Sequence, residues 1–252
     1  MKKVELLQQR LQAIADSVRE HPDGLALIGL GSVGKEIERI DEYSDLDFYA
    51  IVKDGCKEHF VEDVSWLESI VPVVFKFQNT DDGYKLLYKD GVFCEFGVYT
   101  LDELEHIGFN EGRVIWADDS MPLNIAIPKH PPSTCDTHGK EFLLGELLTN
   151  LYVGLCRFHR GEKCSAMRFV QVYAIDRLIA LMPYITTPTP SLIDGFSPDR
   201  RLEQRYPEHE PEFSSFMQGY EKSPESAKAL LEFVAQHFEV NKAIEGEILA
   251  LV

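Results

Sequence analysis

The sequence predicts an N-terminal α/β domain over residues 1–128, followed by a helical domain over residues 129–252. Three observations carry that reading. Short apolar runs bounded by turn residues alternate with helical spacing as far as Ala117. A proline-rich stretch, Ile127-Pro128-Lys129-His130-Pro131-Pro132-Ser133, then interrupts both kinds of pattern and reads as a linker. Beyond it the periodicity is helical only.

Val4, Leu7, Leu11, Ile14 and Val18 recur at helical spacing, and His21-Pro22-Asp23-Gly24 ends that helix. Leu25 to Gly29 reads as a buried strand, and Phe48 to Val52 as a second, stopped by Lys53-Asp54-Gly55. Helical spacing returns over Val61, Val64, Leu67 and Ile70. Val73, Phe75 and Phe77 alternate with their neighbours, which predicts a half-buried strand. Turns at Asp81-Asp82-Gly83 and Asp90-Gly91 flank Tyr84 to Tyr88, and Val92 to Tyr99 follows as a further strand. Thr100-Leu101-Asp102-Glu103 has the form of a capping box. Arg113 to Ala117 is a last short strand.

In the second half, Phe142, Leu143, Leu147, Leu151, Leu155 and Phe158 mark a long amphipathic helix closed by Gly161. Ser165 to Met182 gives another. Pro183 to Pro211 reads as a long loop holding at most one short helix. Ser223 as N-cap and Pro224 at the first helical position open a final helix to about Phe238.

The formal charge of −17 and the lack of a Lys/Arg run argue against a nucleic-acid partner. An acidic surface suits neutral or cationic acceptors, and equally serves solubility. After Met1-Lys2-Lys3, the residues Glu5, Gln8, Gln9 and Arg10 interrupt any secretion signal, and no stretch approaches the roughly 18 apolar residues of a membrane span. Five scattered cysteines without a Cys-x-x-Cys pair fit reduced thiols. A cytoplasmic location without membrane partners is therefore expected, with the state of assembly, a homodimer included, left open.

Gly29-Leu30-Gly31-Ser32-Val33-Gly34 fits the glycine fingerprint of dinucleotide-binding folds. That fingerprint wants an acid about 20 positions on, at the end of the second strand. Here Asp45 and Asp47 stand before the strand's apolar residues, the connection is short for a crossover helix, and hairpin signals follow. An NAD(P)-binding oxidoreductase is thus the weaker reading. The alternative joins Gly31-Ser32 to Ser44-Asp45-Leu46-Asp47. A residue without a β-carbon, a hydroxyl and nearby amides can cradle phosphate oxygens. Two aspartates one residue apart on a strand project to one side, offering hard oxygen ligands to Mg²⁺. Glu95, inside Val92-Phe93-Cys94-Glu95-Phe96-Gly97-Val98, is either a carboxylate on the solvated face of an edge strand or a third acid of the same site.

These residues resemble the DNA polymerase beta-like nucleotidyltransferase superfamily: Gly-Ser, then Asp-x-Asp, then a later acid on a neighbouring strand. Within it, Tyr43-Ser44-Asp45-Leu46-Asp47-Phe48-Tyr49, Phe93-Cys94-Glu95-Phe96 and Phe158-His159-Arg160-Gly161-Glu162 look like segments of lincosamide nucleotidyltransferases with a helical C-terminal domain. The resemblance implies an α+β fold, a small mixed-sheet nucleotidyltransferase domain followed by an α-helical bundle. It implies Mg²⁺ on Asp45, Asp47 and Glu95, and nucleotide phosphates on Gly31 and Ser32, with Glu95 alternatively activating an acceptor hydroxyl. Arg160, at the end of the long helix, is a candidate nucleotide contact, although cations there also complement the helix dipole. The co-substrates implied are a nucleoside triphosphate and a small antibiotic-like acceptor. Two departures stand out: the family's second loop glycine is Glu36 here, and its His beside the third acid is Gly97. A non-catalytic nucleotide-binding module on the same fold is the competing reading. Cys135-Asp136-Thr137-His138 lacks a partner pair for zinc.

Overall fold

The computed structural model describes residues 2–131, 139–191 and 193–252, and the Cys135–His138 segment falls outside them. The chain divides into two compact units, Met1–Pro132 and Ser133–Val252.

The first unit is built on a six-stranded mixed sheet. In chain order it runs α1 (Lys3–Glu20), β1 (Gly24–Leu30), β2 (Leu46–Val52), α2 (Lys57–Glu62), α3 (Ser65–Glu68), β3 (Val73–Thr80), β4 (Gly83–Tyr88), β5 (Phe93–Thr100), α4 (Leu101–Leu104) and β6 (Arg113–Ala117). The spatial order of strands is β3-β4-β5-β2-β1-β6. Only β2 and β5 pair in parallel; every other neighbour is antiparallel.

Leu7, Leu11, Ile14 and Val18 of α1 cluster with Leu46, Phe48, Ala50, Cys94, Phe96 and Val98, so alternate residues of β2 and β5 turn one sheet face into the main core. Phe48 and Phe96 stack there with centroids 5.4 Å apart. The intervening residues face the other way, where Ile51, Tyr49 and Tyr99 meet Leu104, Phe109 and Ile125. Arg10 of α1 is buried at 5% exposure, and is held by Asp90 at 2.5 Å and by the Tyr88 ring at 4.2 Å. The predicted capping box holds: the Thr100 hydroxyl accepts from the Glu103 amide, and the Glu103 carboxylate accepts from the Thr100 amide.

Two local expectations need correction. The helical spacing from Val61 to Ile70 belongs to two short helices rather than one. Asp63 leaves helical geometry between them, and its carboxylate accepts from the Ser65 amide to start the second. β3 is a strand, but not half-buried: Phe75 is 53% exposed and Phe77 56%. It lies at the sheet edge with a neighbour on one side only.

The second unit is helical. It comprises α5 (Lys140–His159), α6 (Lys163–Arg168), a π turn (Phe169–Tyr173), α7 (Ala174–Ile185), α8 (Leu202–Arg205), α9 (Glu210–Phe216), α10 (Ser223–His237) and α11 (Lys242–Leu249). Leu143, Leu147, Leu151 and Leu155 of α5 form its core with Leu178, Met182, Phe213, Phe216, Leu230 and Val234. Gly161 closes α5 with φ +80°, as its position predicts.

Sequence pattern underestimates helix in this unit. Pro183 sits inside α7, the expected loop carries the start of α9 besides its one short helix, α8, and α11 follows the helix expected to be last. The N-cap of α10 is Lys222, not Ser223. The Ser223 hydroxyl is buried and instead accepts from Gln171 Nε2 at 3.3 Å. No helix among the described residues is long and apolar enough to cross a membrane.

Candidate active site

The centre of the first unit's sheet brings the predicted residues together through its register. Leu30, the last residue of β1, pairs with Asp47, so Gly31 begins the turn beside that aspartate. On the other side of β2, Asp47 is in register with Glu95 of β5. Side chains opposed across a ladder share a face, and adjacent strands lie about 4.8 Å apart. Asp47 and Glu95 therefore stand as neighbours on the face away from α1. β5 is not an edge strand but an interior one, flanked by β2 and β4, and the Glu95 side chain is 43% exposed on its face.

Asp45 lies two residues earlier, just before β2, and is half-buried. The turn leading to it is closed by Ser44 and Asp41: the Ser44 hydroxyl donates to Asp41 Oδ1 at 3.1 Å, and Asp41 Oδ1 also accepts from the Tyr43 amide at 2.9 Å. That turn leaves the Tyr43 side chain 87% exposed.

Gly31 adopts φ +51°, a left-handed conformation that favours glycine. Its carbonyl accepts from the amides of Gly34 and Glu36, winding residues Gly31–Val33 into one tight turn. A β-carbon at Gly31 would stand 3.6 Å from Asp47 Oδ2 and 3.7 Å from Arg39 Nη2. The Asp47 carboxylate and the Arg39 guanidinium thus border the same side of the glycine. Arg39 is held by Glu36; Nε and Nη2 lie 2.9 and 2.8 Å from Glu36 Oε2. Glu36 is 8% exposed, so this loop is filled by an ion pair. Behind the loop lies a cavity of about 270 Å³ whose lining includes Leu11, Val33, Ile37, Ile40 and Ile115. Ser32, expected to present its hydroxyl, is 4% exposed.

Glu95 has two partners, one on the adjacent strand β4 and one on β3 beyond it. Lys85 Nζ lies 3.1 Å from Oε2, and Asn79 Nδ2 donates to Oε1 at 2.9 Å. Tyr49, two residues along β2 from Asp47, packs edge-on against Tyr99 at 4.8 Å and Phe109 at 5.7 Å. Burial, then the nearby Tyr99, Asp47 and Glu95, pushes its phenol well above the ordinary tyrosine range, so it stays protonated beside the acids. Burial likewise pushes the Tyr99 phenol up to about 12.

Among the described residues, no three His, Cys, Asp or Glu side chains gather into a metal cage. Asp45, Asp47 and Glu95 accordingly do not form one by themselves. The donor set still fits Mg²⁺, which is commonly held by one or two carboxylates and completed by substrate phosphates. Arg160 belongs to the second unit, where it is exposed at the C-cap of α5. Arg39, Lys85, Asn79 and Tyr49 were not singled out from sequence. The clue for Lys85 and Asn79 is two-residue periodicity on strands whose register only pairing reveals.

No protein-family model matches the sequence, and no curated protein matches it. Among solved structures the chain is similar to an aminoglycoside 6-adenyltransferase from Bacillus subtilis, at 15% identity and a TM-score of 0.35, over 96% of this chain and 91% of that one. It is also similar to a nucleotidyltransferase-like protein from Exiguobacterium sibiricum, at 14% identity and a TM-score of 0.32, over 96% of this chain and 78% of that one.

Proposed function

We propose that the chain transfers a nucleoside monophosphate from a nucleoside triphosphate to a hydroxyl group of a small molecule. The observation that carries this reading is the register: Asp47 and Glu95 oppose each other on β2 and β5, and Gly31 opens a left-handed turn directly after Leu30, the residue of β1 opposite Asp47. In the reaction the acceptor oxygen bonds to the α-phosphorus, the bond from that phosphorus to the bridging oxygen breaks, and pyrophosphate leaves. Glu95, whose carboxylate is held by Lys85 and Asn79, would accept the hydroxyl proton. Asp45 and Asp47, with Glu95, would hold Mg²⁺, whose charge offsets that of the transferring phosphates when bound. Arg39 borders Gly31 and supplies a cation for the phosphates. Gly31 contributes close backbone approach, which suits the buried position of the Ser32 side chain.

The decisive measurement is thermal stabilisation by each of the four nucleoside triphosphates, with and without Mg²⁺. It is followed by pyrophosphate release against an aminoglycoside and lincosamide panel. Stabilisation that needs Mg²⁺ is expected, and ligand at 100 times its Kd contributes about 2.7 kcal/mol. Stabilisation by NADH without metal would instead support the oxidoreductase reading. Metal-dependent nucleotide binding with no release of pyrophosphate against any acceptor would point to the non-catalytic module.

Arg39→Ala is expected to weaken nucleotide binding about tenfold, as loss of one charge-assisted contact does, with partial recovery in Arg39→Lys. Titration of nucleotide by calorimetry checks this, and an unchanged Kd would remove Arg39 from the site.

A further inference from the structure

Phe75 and Phe77 break the ordinary rule for strand burial, and the register shows where their rings stand. Phe77 of β3 opposes Lys85 of β4, Lys85 opposes Glu95 of β5, and Glu95 opposes Asp47 of β2. Opposed residues share a face, so one row crosses the sheet as Phe77, Lys85, Glu95 and Asp47. One step along, Phe75, Leu87 and Phe93 form a parallel row. The ion pair from Lys85 to Glu95 and the hydrogen bond from Asn79 to Glu95 place this face together with the carboxylates. The alternate residues Leu86, Cys94 and Phe96 turn to the opposite face and its core. Phe75 and Phe77, both more than half exposed, therefore share a sheet face with the paired acids, with Lys85 between Phe77 and Glu95. Contiguous exposed apolar surface of this kind marks a binding site rather than a fold requirement.

We propose that this aromatic shelf is the acceptor subsite, which rests on the nucleotidyl-transfer reading above. The acceptor is then a hydroxylated small molecule carrying an aryl or flat apolar group. Two strand spacings separate β3 from β5, so that group stands about 10 Å from the hydroxyl presented to Glu95. The rings of Phe75 and Phe77 offer no hydrogen bonds and select an apolar face. Between the rings and Glu95 stands Lys85, whose ammonium can donate to the polar link of such a molecule.

The test uses the full chain and a fluorescent aryl glycoside, 4-methylumbelliferyl glucoside, with methyl glucoside as the matched sugar without the ring. The aryl glycoside is expected to bind at least about tenfold tighter than methyl glucoside. Phe77→Ala is expected to weaken it by about tenfold, Phe77→Tyr to restore it, and Mg-ATP affinity to stay within about twofold in both. Equal affinity for the two glycosides, or a Phe77→Ala Kd equal to that of the parent, overturns the shelf. So does a Phe77→Ala chain that halves its sedimentation mass without a change in Kd, since the rings would then serve a second copy. Pyrophosphate release measured in parallel separates the two ideas. Aryl binding lost in Phe77→Ala with no release against any acceptor sinks the transferase reading and leaves a ligand site. Release that is indifferent to Phe77 sinks the shelf alone.

Discussion

Asp47→Asn is expected to lower pyrophosphate release by about a hundredfold or more while leaving the melting temperature unchanged. The substitution keeps the volume of a half-buried side chain and replaces one anionic oxygen at the point where β1, β2 and β5 converge. It removes the carboxylate bordering Gly31, which under the proposed function would also be a hard ligand for Mg²⁺. Because Asn still fills the position, loss of turnover cannot be assigned to unfolding if melting is preserved. Turnover that survives the change would defeat the assignment of this line of residues to phosphoryl transfer.

Gly83→Ala is expected to have the largest effect on stability near the site. A β-carbon at Gly83 would lie 1.8 Å from the Phe96 carbonyl oxygen and 2.9 Å from the Gly97 α-carbon, both of them backbone atoms. No rotamer change relieves that overlap, so β4 must move away from β5. The displaced ladder includes the Gly83–Gly97 and Lys85–Glu95 pairs, which carries the disturbance to the candidate base. A loss of about 3 kcal/mol is expected, from overpacking plus broken ladder bonds, and a fall in melting temperature of roughly 6–12 °C. Melting of the variant within error of the parent would show that β4 is free to adjust, and with it the anchoring of Glu95 by Lys85.

The two halves of the chain were legible to different degrees. In the first, helix α1 and the strands β1, β2 and β5 follow from local pattern, because each buries a run or a regular set of apolar side chains. Phe75 and Phe77 show where pattern stops: alternation gives a strand but not its neighbours, and an edge strand buries less than its period implies. In the second half, Pro183 suggests a loop, yet α7 continues through it to Ile185. Leu178, Leu181 and Met182 are buried just before the proline, so core packing outweighs the local helix-breaking tendency.

The candidate site divides in the same way. Asp45, Asp47 and Gly31 lie close in sequence to strand ends, and local geometry makes them visible as a group. Lys85, Asn79 and Arg39 carry no local mark, since each acquires its role from a partner on a different element or across a turn.

By itself the sequence determined the α/β-then-helical order, the glycine turn and the acids that precede and follow their apolar runs. Those are properties of residue type and of periods along one chain. Only the tertiary structure decided that Asp47 and Glu95 face each other, that Glu36 and Arg39 fill the loop, and that Phe77 stands in the same row as the acids. Register between strands distant in sequence is set by the packing of the whole sheet, and a slip of one residue would have sent Glu95 into the core.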